Sequence, residues 1–300
     1  MAAESLAGKV AIVSGSAKGI GAATCVELAS RQVFDLPRVH NKKEERLLTV
    51  LRGAIVVVNY PWPSERKEAE AVLARICQTK SSSASKCILV ESDLSTTTGP
   101  QHLVEETIRQ LGPKIDILIN NAGVAIMKPL SEATLDQWDT MVNLNARGAF
   151  LLSQAVLPYL SNPSRIVNLS SVGARQGYEG SSIYCGTKSM IESFTRCWGM
   201  HSTLPSSTSG SANGFSFSEL GRKYGCTVNA ICPGPTDTSG FNHSTPEFLA
   251  KIQPLLDATP AGSRMGTPEE VAHAIGFLCE EKSRWISGVC LGTNGGFFMA

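Results

Sequence analysis

Short apolar runs alternate with longer amphipathic stretches along the chain. Runs rich in valine and isoleucine predict strands buried on both faces, whereas apolar residues spaced three to four positions apart predict helices. The predicted strands cover residues 9–14, 54–59, 86–94, 115–123, 165–170, 227–232 and 288–292. The predicted helices cover residues 22–29, 65–76, 101–111 and about 135–160, and another begins at Tyr184. This alternation predicts one α/β domain over residues 1–300, with a doubly wound, mostly parallel seven-stranded sheet and helices on both faces.

The first predicted strand runs into a turn that contains three glycines. Gly15, Gly19 and Gly21 stand between this strand and the following helix. Glycines let the backbone approach a pyrophosphate, and a helix N-terminus offers unpaired N–H groups and a positive dipole end. A tight strand–helix turn could carry the same residues without binding a ligand. The position of the turn between these two elements favours a dinucleotide site.

Tyr184 and Lys188 lie one helical turn apart at the start of a predicted helix, and Ser171 follows the strand before it. The ammonium group can therefore approach the phenol on a shared helix face. A nearby cation lowers the pKa of a phenol from about 10 toward neutrality, which suits a proton donor. The same spacing also occurs by chance on surface helices. Ser171 could hydrogen-bond the same substrate oxygen as Tyr184.

Several predicted strands end in residues suited to ligand contact. These are Gly15, Asp93, Asn121, Ser171 and Pro233. In doubly wound parallel sheets, ligands bind at the carboxyl ends of the strands. The sequence therefore predicts a single cleft at that edge of the sheet.

Composition limits the classes of partner. Apolar residues make up 42% of the 300 residues, charged residues 18%, and the formal net charge is +1. These values give no electrostatic case for binding nucleic acid or an anionic membrane. No apolar run is long enough to span a bilayer, and the first residues lack a secretory apolar region. The nine cysteines show no Cys-x-x-Cys and no zinc-like spacing. We therefore expect a cytoplasmic protein with reduced thiols and no metal site.

Together these motifs resemble the short-chain dehydrogenase/reductase family over nearly the whole chain. The matching pieces, in the family's order, are Ser14-Gly15-x-x-x-Gly19-Ile-Gly21, Asp93-Leu94, Asn120-Asn121-Ala122-Gly123, Asn145, Ser171, Tyr184-x-x-x-Lys188, Pro233-Gly234 with Thr236 and Thr238, and Asn294-Gly295-Gly296. Ser14 replaces the threonine usual in the family and keeps its hydroxyl. The resemblance implies a Rossmann-type fold and an NAD(P)-dependent oxidoreductase that acts on CH–OH groups.

The resemblance also implies roles for individual residues. Tyr184 would be the acid/base, and Lys188 would lower its pKa and bind the nicotinamide ribose. Ser171 would orient the carbonyl, and Asn145, which fits the family's spacing better than Asn143, would hold a water in a proton relay. The implied cofactor contacts are Gly15, Ser16, Lys18, Gly19, Ile20, Gly21, Asn59, Asp93, Leu94, Asn121, Ala122, Gly123, Tyr184, Lys188, Pro233, Gly234, Thr236 and Thr238.

Charge near the end of the second predicted strand bears on which nicotinamide cofactor is used. An acidic residue there would bind a ribose diol and repel a 2′-phosphate. The position holds Asn59 or Tyr60, and no carboxylate precedes Glu65. Lys18 lies in the glycine turn, and the basic pair Arg66-Lys67 lies just past the strand. A cation without a competing anion suits a 2′-phosphate, so the sequence favours NADP(H) over NAD(H).

Two stretches interrupt the family's pattern. Residues 32–52 separate the first helix from the second strand, and residues 199–218 divide what otherwise resembles one continuous helix. Three interpretations are open: surface loops, functional insertions, or translated non-coding sequence. We hypothesise the last, because removing each stretch restores the pattern. If it is a real insertion, 199–218 could disrupt the homodimer or homotetramer that the family resemblance implies.

The main hypothesis is an NADP(H)-dependent enzyme that interconverts a ketone and a secondary alcohol, of the 3-oxoacyl or polyketide carbonyl reductase type. The alternative is a cofactor-binding scaffold whose catalysis the two interruptions impair. A sugar-nucleotide epimerase would require a Gly-x-x-Gly-x-x-Gly turn, which this sequence lacks. Residues 172–183 and 235–265 are expected to face a small-molecule substrate. The second segment would be a lid holding Phe241, His243, Phe248 and Leu249, with His243 on its surface rather than acting as a second base.

Overall fold

The structure is a computed structural model that describes residues 6–31, 53–79, 83–199, 220, 224–242 and 246–299. The interruption at 32–52, all of 199–218 except Gly199, and His243 lie outside the described residues.

Seven short parallel strands are the centre of the described chain. They are β1 (Val10–Val13), β2 (Ile55–Tyr60), β3 (Ile88–Glu91), β4 (Ile115–Asn120), β5 (Leu160–Leu169), β6 (Cys226–Pro233) and β7 (Cys290–Thr293). Their order in the sheet is β3-β2-β1-β4-β5-β6-β7, with every neighbouring pair parallel. The order reverses between β1 and β4, which is the switch point where doubly wound sheets bind ligands. The predicted seven-stranded, doubly wound sheet is confirmed.

Helices cover both faces of this sheet. They are α1 (Gly19–Ser30), α2 (Arg66–Gln78), α3 (Gly99–Leu111), α4 (Leu135–Met141), α5 (Ala149–Val156), α6 (Ser182–Gly199), α7 (Ser239–Asn242), α8 (Pro246–Asp257) and α9 (Pro268–Cys279). None of these described helices has both the length and the apolar composition needed to cross a bilayer.

The helical segments predicted over about 135–160 are α4 and α5, with breaks that helical periodicity does not indicate. A π-helical turn at Val142–Gly148 separates α4 from α5, and a 3-10 turn at Leu157–Tyr159 follows α5. The second break has a local cause, because Pro158 lacks the N–H that a continuing α-helix would need. The π-helical turn carries Asn145, and such turns are frequent at functional sites.

Alternation of side chains along the strands divides the core into two layers. Val56 and Val58 of β2 belong to the layer that contains α1, α2 and α9. Val57 between them belongs to the layer of α3, α5 and α6. Successive side chains of a strand point to opposite faces, so a β-branched run is the expected sequence for a sheet covered on both sides.

The two ends of the interruption at 32–52 adjoin in space. The amide of Ala54 donates to the carbonyl oxygen of Leu28 at 2.9 Å. Gly53 lies so close to α1 that a Cβ on it would be 1.7 Å from the carbonyl oxygen of Ala29. The chain therefore leaves α1 and enters β2 at neighbouring points.

Candidate active site

The glycine turn between β1 and α1 fits a dinucleotide because side chains would close it. Gly15 and Gly19 have φ values of +59° and +58°, which favour glycine. A Cβ on Gly15 would lie 2.8 Å from the Cα of Ala122, and one on Gly21 would lie 2.6 Å from the Nδ2 atom of Asn121. No side chain caps the N-terminus of α1, so its first N–H groups point into this turn without a side-chain acceptor.

Ser14 and Asn121 fasten the glycine turn to the end of β4. The Ser14 hydroxyl accepts from the amides of Asn121 at 2.9 Å and Ala122 at 3.0 Å. The Asn121 side-chain amide donates to the carbonyl oxygens of Ser14 and Gly15, at 2.9 and 3.0 Å. The hydroxyl that Ser14 shares with threonine is therefore used structurally.

Asn59 and Ser16 direct their side chains into the protein. The Asn59 Oδ1 atom accepts from the Gly15 amide at 2.9 Å, and its Nδ2 atom donates to the carbonyl oxygen of Ser92 at 3.0 Å. The Ser16 hydroxyl donates to the carbonyl oxygen of Val13 at 2.7 Å. Both side chains hold β1, β2 and β3 together beneath the turn.

The expectation that Lys18 lacks a competing anion is wrong. Its ammonium group lies 2.7 Å from the Oε1 atom of Glu65, with the two side chains 56% and 23% exposed. The 3-10 turn at Pro63–Glu65 brings this carboxylate back toward the glycine turn, which strand periodicity does not predict. Glu65 is thus a residue near the cofactor site that sequence reasoning assigned no role. Arg66 is paired with Glu70 at 2.9 Å on the surface of α2.

The other predicted cofactor contacts lie at the ends of strands or beside the glycine turn. Asp93 and Leu94 follow β3, Ile20 lies in the first turn of α1, and Pro233 ends β6. A Cβ on Gly19 would lie 3.3 Å from the Cγ2 atom of Thr238, so the segment after β6 meets the glycine turn. The Thr236 hydroxyl donates to the carbonyl oxygen of Gly234 at 2.9 Å, which closes that segment.

Tyr184 and Ser171 meet at the carboxyl edge of the sheet. Ser171 follows β5, and its hydroxyl accepts from the Gly173 amide at 3.1 Å. Tyr184 lies in the first turn of α6 and is partly buried. Burial raises the pKa of the Tyr184 phenol above 10, and a hydrogen bond with the Ser171 side chain opposes that rise. The two side chains meet beside Gly173, where an added Cβ would lie 3.4 Å from the Oγ atom of Ser171 and 3.7 Å from the Cε1 atom of Tyr184.

Lys188 lies behind this pair. Burial lowers the pKa of its ammonium group to about 8. The Nζ atom donates to the carbonyl oxygen of Leu169 at 2.8 Å and lies 5.7 Å from the centroid of the Tyr184 ring. The expectation that Lys188 lowers the pKa of Tyr184 stays a prediction; the ammonium group lies near the phenol ring and donates to a backbone carbonyl.

Asn145 is joined to the same cluster through its side-chain amide. The Oδ1 atom accepts from the Val124 amide and the Nδ2 atom donates to the Val124 carbonyl oxygen, both at 2.8 Å. The Nδ2 atom also donates to the Thr187 hydroxyl at 3.1 Å, which in turn donates to the carbonyl oxygen of Tyr184 at 2.7 Å. Sequence reasoning missed Thr187, although its place directly before Lys188 could have indicated it.

Gly123 lies between Asn145 and Lys188. A Cβ on this glycine would be 3.2 Å from the Oδ1 atom of Asn145 and 3.5 Å from the Nζ atom of Lys188. The structure thus brings the four predicted catalytic residues to one place, next to the glycine turn.

The two segments expected to face the substrate are connected by an ion pair. Lys251 of α8 lies 2.7 Å from Glu179, with both side chains well exposed. In the second segment the rings of Phe241 and Phe248 meet edge to face with centroids 6.1 Å apart. This places an aromatic pair on α7 and α8 after the loop that ends β6.

Comparison with known proteins identifies the family to which the chain belongs. The sequence profile described as short chain dehydrogenase matches residues 50–203, and one described as enoyl-(acyl carrier protein) reductase matches residues 218–298. The short-chain dehydrogenase/reductase FrzI from a Cladobotryum species is 34% identical over 295 residues, covering 97% of this chain and 96% of that protein. The chain belongs to the short-chain dehydrogenase/reductase family.

Other relatives and solved structures match nearly the whole chain. Hydroxynaphthalene reductase arp2 from Aspergillus fumigatus is 28% identical over 292 residues, covering 94% of this chain and 90% of that protein. The structure of a blue fluorescent protein from a metagenomic library, in complex with NADPH, has a TM-score of 0.75 at 27% identity and covers 99% of this chain and 100% of that one. The angucycline C-6 ketoreductase LanV with bound NADP has a TM-score of 0.75 at 25% identity, covering 98% of this chain and 96% of that one. This protein is accordingly an oxidoreductase that uses a nicotinamide cofactor and acts on CH–OH or carbonyl groups.

Proposed function

We propose that this protein is an NADP(H)-dependent carbonyl reductase that interconverts a ketone and a secondary alcohol, with a substrate of the 3-oxoacyl or polyketide class. The observation that carries the proposal is the meeting of the Ser171 and Tyr184 side chains beside Gly173, with the buried Lys188 ammonium group 5.7 Å from the centroid of the Tyr184 ring. The names of two relatives, a hydroxynaphthalene reductase and an angucycline ketoreductase, support a ring ketone of polyketide type.

In this proposal each of the four residues has one task. Ser171 holds the carbonyl oxygen by a hydrogen bond, and Tyr184 gives that oxygen a proton. Lys188, whose pKa is about 8, supplies positive charge near Tyr184, and Asn145 holds a water in a proton relay to Lys188. The bound nicotinamide supplies or accepts the hydride. Thr187 positions Asn145 by accepting its amide N–H.

The preference for NADP(H) rests on Lys18, the exposed cation beside the glycine turn. NADPH and NADP in the two structural neighbours support it. Glu65 opposes it, because its carboxylate competes with a 2′-phosphate for Lys18 and could instead accept from a ribose diol. We propose that the phosphate prevails, since an exposed ion pair contributes only about 0.2–1 kcal/mol.

Two further parts of the proposal concern the whole chain. We infer that 32–52 and 199–218 are translated non-coding sequence, supported at the first by the adjoining positions of Leu28 and Ala54. Sequencing the mature transcript tests this, and finding both stretches present would refute it.

We also infer a cytoplasmic homodimer or homotetramer. The exposed ring of Phe150 on α5, whose centroid lies 5.8 Å from that of Phe194 on α6, supports an apolar interface.

The loss of NADPH absorbance over a panel of acyclic 3-oxoacyl esters and bicyclic aromatic ketones tests the proposed reaction. We expect turnover with at least one panel member and a fall of about 100-fold or more in Ser171→Ala. Tight NADPH binding without turnover on any ketone would favour the alternative, a cofactor-binding scaffold with impaired catalysis.

A further inference from the structure

A group of metal-ligand side chains lies outside the catalytic cluster, on the far side of Lys188. Glu192 follows Lys188 by one turn of α6, Cys232 lies in β6, and Cys290 begins β7. Each offers one ligand atom, and the three atoms lie within 4.8 Å of one another. Among the described residues this is the one such group of three His, Cys, Asp or Glu side chains. We propose that Glu192, Cys232 and Cys290 bind one thiophilic divalent cation of the zinc class.

The distances within the group fit a tetrahedral cation. Zinc–sulfur and zinc–oxygen bonds of about 2.3 and 2.1 Å place a thiolate and a carboxylate oxygen about 3.5 Å apart. The Sγ atom of Cys232 lies 3.2 Å from the Oε1 atom of Glu192, where its thiol donates a hydrogen bond. Two thiolates and one carboxylate fill three positions of such a site and leave the fourth for water.

The surroundings of Glu192 direct one carboxylate oxygen toward the thiols. Its Oε2 atom accepts from the Nε atom of Arg175 at 2.8 Å, whereas its Oε1 atom faces Cys232 and lies 3.3 Å from the Ser170 hydroxyl. Arg175 would therefore orient the ligating carboxylate through this hydrogen bond, as hydrogen-bond partners of metal ligands usually do.

The charges around the group also suit a cation. Binding would displace the protons of both thiols to solvent, giving two thiolates beside the Glu192 carboxylate. A divalent cation offsets two of these negative charges, and the guanidinium groups of Arg175 and Arg196, 2.8 and 3.9 Å from the Oε2 atom of Glu192, offset the third. The buried anions would therefore be compensated, which lowers the cost of burying them. Cys290 is half-buried, which provides a path for the cation.

A disulfide between the two cysteines is the competing use of the same atoms. The register pairs Cys290 with Ala230 and Cys232 with Gly292, so the cysteines are offset by two residues on neighbouring strands. Neighbouring strands lie about 4.8 Å apart and rise about 3.3 Å per residue, so an offset of two residues separates the Cα atoms by about 8 Å, beyond the roughly 4.4–6.8 Å that a disulfide spans. The geometry therefore favours the metal over the disulfide. Local sequence spacing could not indicate this site, because its residues come from three separate elements.

Titration of the reduced, chelator-treated full chain with Cd²⁺ tests the proposal. We expect one Cd²⁺ per chain, a thiolate-to-metal charge-transfer band, and a rise in Tm that a chelator reverses. Cys290→Ser and Cys232→Ser should each abolish the band or strongly weaken Cd²⁺ binding. The loss of affinity should exceed the roughly 10- to 100-fold that follows removal of a residue that only hydrogen-bonds a metal ligand. Glu192→Gln should weaken binding while leaving a weaker thiolate band.

Cys77→Ser on α2 and Cys197→Ser, five residues after Glu192 on α6, are the matched controls, because both cysteines are exposed and neither belongs to the group. Each should bind Cd²⁺ as the unsubstituted chain does. Circular dichroism of each variant establishes that it is folded. Because Cys290 is half-buried and Cys232 is buried, Cys290→Ser should disturb folding less than Cys232→Ser. Absence of the band in the unsubstituted chain, its persistence in both ligand variants, or oxidation of the pair to a disulfide in air would overturn the proposal.

Discussion

The ion pair between Lys18 and Glu65 offers a quantitative test of cofactor selection. The two charged atoms lie 2.7 Å apart, and the side chains are 56% and 23% exposed. Pairs with this exposure contribute about 0.2–1 kcal/mol, so releasing Lys18 from Glu65 should improve NADPH binding by at most about fivefold. We therefore expect Glu65→Gln, which keeps the side-chain size, to lower the KM for NADPH by up to that factor. The KM for NADH should stay unchanged or rise.

Removing the cation should have the opposite and larger effect. A hydrogen bond to a charged group contributes about 1.5–3 kcal/mol, so Lys18→Ala should raise the KM for NADPH by roughly 10- to 100-fold and that for NADH much less. Steady-state kinetics with both cofactors on the two single variants and the double variant would measure this. Glu106→Gln is the matched control, because Glu106 forms a similarly exposed pair with Arg109 at 2.6 Å on α3. Equal effects of Lys18→Ala on both cofactors, or a higher KM for NADPH in Glu65→Gln, would refute the reasoning.

Three other substitutions test the local geometry. Gly21→Ala should lower the free energy of unfolding by about 1–3 kcal/mol and weaken NADPH binding, because its Cβ would lie 2.6 Å from the Asn121 amide; denaturant melts and cofactor titration measure both. Gly186→Ala in α6 is its matched control, since a Cβ there meets nothing within 4 Å, and it should stabilise the fold by about 0.5–1 kcal/mol. A destabilised Gly186→Ala would contradict that account. Glu270→Gln should reduce stability at neutral pH by roughly 0.2–1 kcal/mol, because a side-chain hydrogen bond from Arg264 is the main cause that lowers the pKa of Glu270 to about 2. Since this folded-state pKa lies below the usual 4.5, the stabilisation is complete above about pH 4.5 and is lost as the pH falls toward 2. Urea melts from pH 3 to 7 would show the difference between wild type and variant shrinking at acid pH, and a constant difference would contradict the assignment.

Much of the fold follows from periodicity, because both faces of the sheet are covered. The β-branched run at Ile55–Tyr60 predicts a fully buried strand, and the structure has one there. The break at Val142–Gly148 could not be predicted in this way, because a π-helical turn depends on what Asn145 contacts in other elements. Helical periodicity over about 135–160 likewise does not give the bounds of α4 and α5, although Pro158 marks the end of α5.

The candidate site shows the same division. The convergence of Ser171 and Tyr184 was predictable, because parallel strands place their carboxyl ends at one edge. The pairing of Lys18 with Glu65 was not, because it depends on a 3-10 turn that no period reveals. The hydrogen bond from the Lys188 ammonium group to Leu169 could not be predicted either. The four-residue spacing indicates only that Tyr184 and Lys188 share a helix face.

Tyr184→Phe tests the central claim most directly. The substitution removes one hydroxyl from a partly buried ring and leaves the glycine turn intact. NADPH binding, followed by cofactor fluorescence, should stay within a few-fold of wild type. Ketone reduction should fall by at least about 100-fold, the lower end of what a positioned proton donor contributes. Near-normal turnover in Tyr184→Phe would contradict the claim that this phenol protonates the substrate carbonyl.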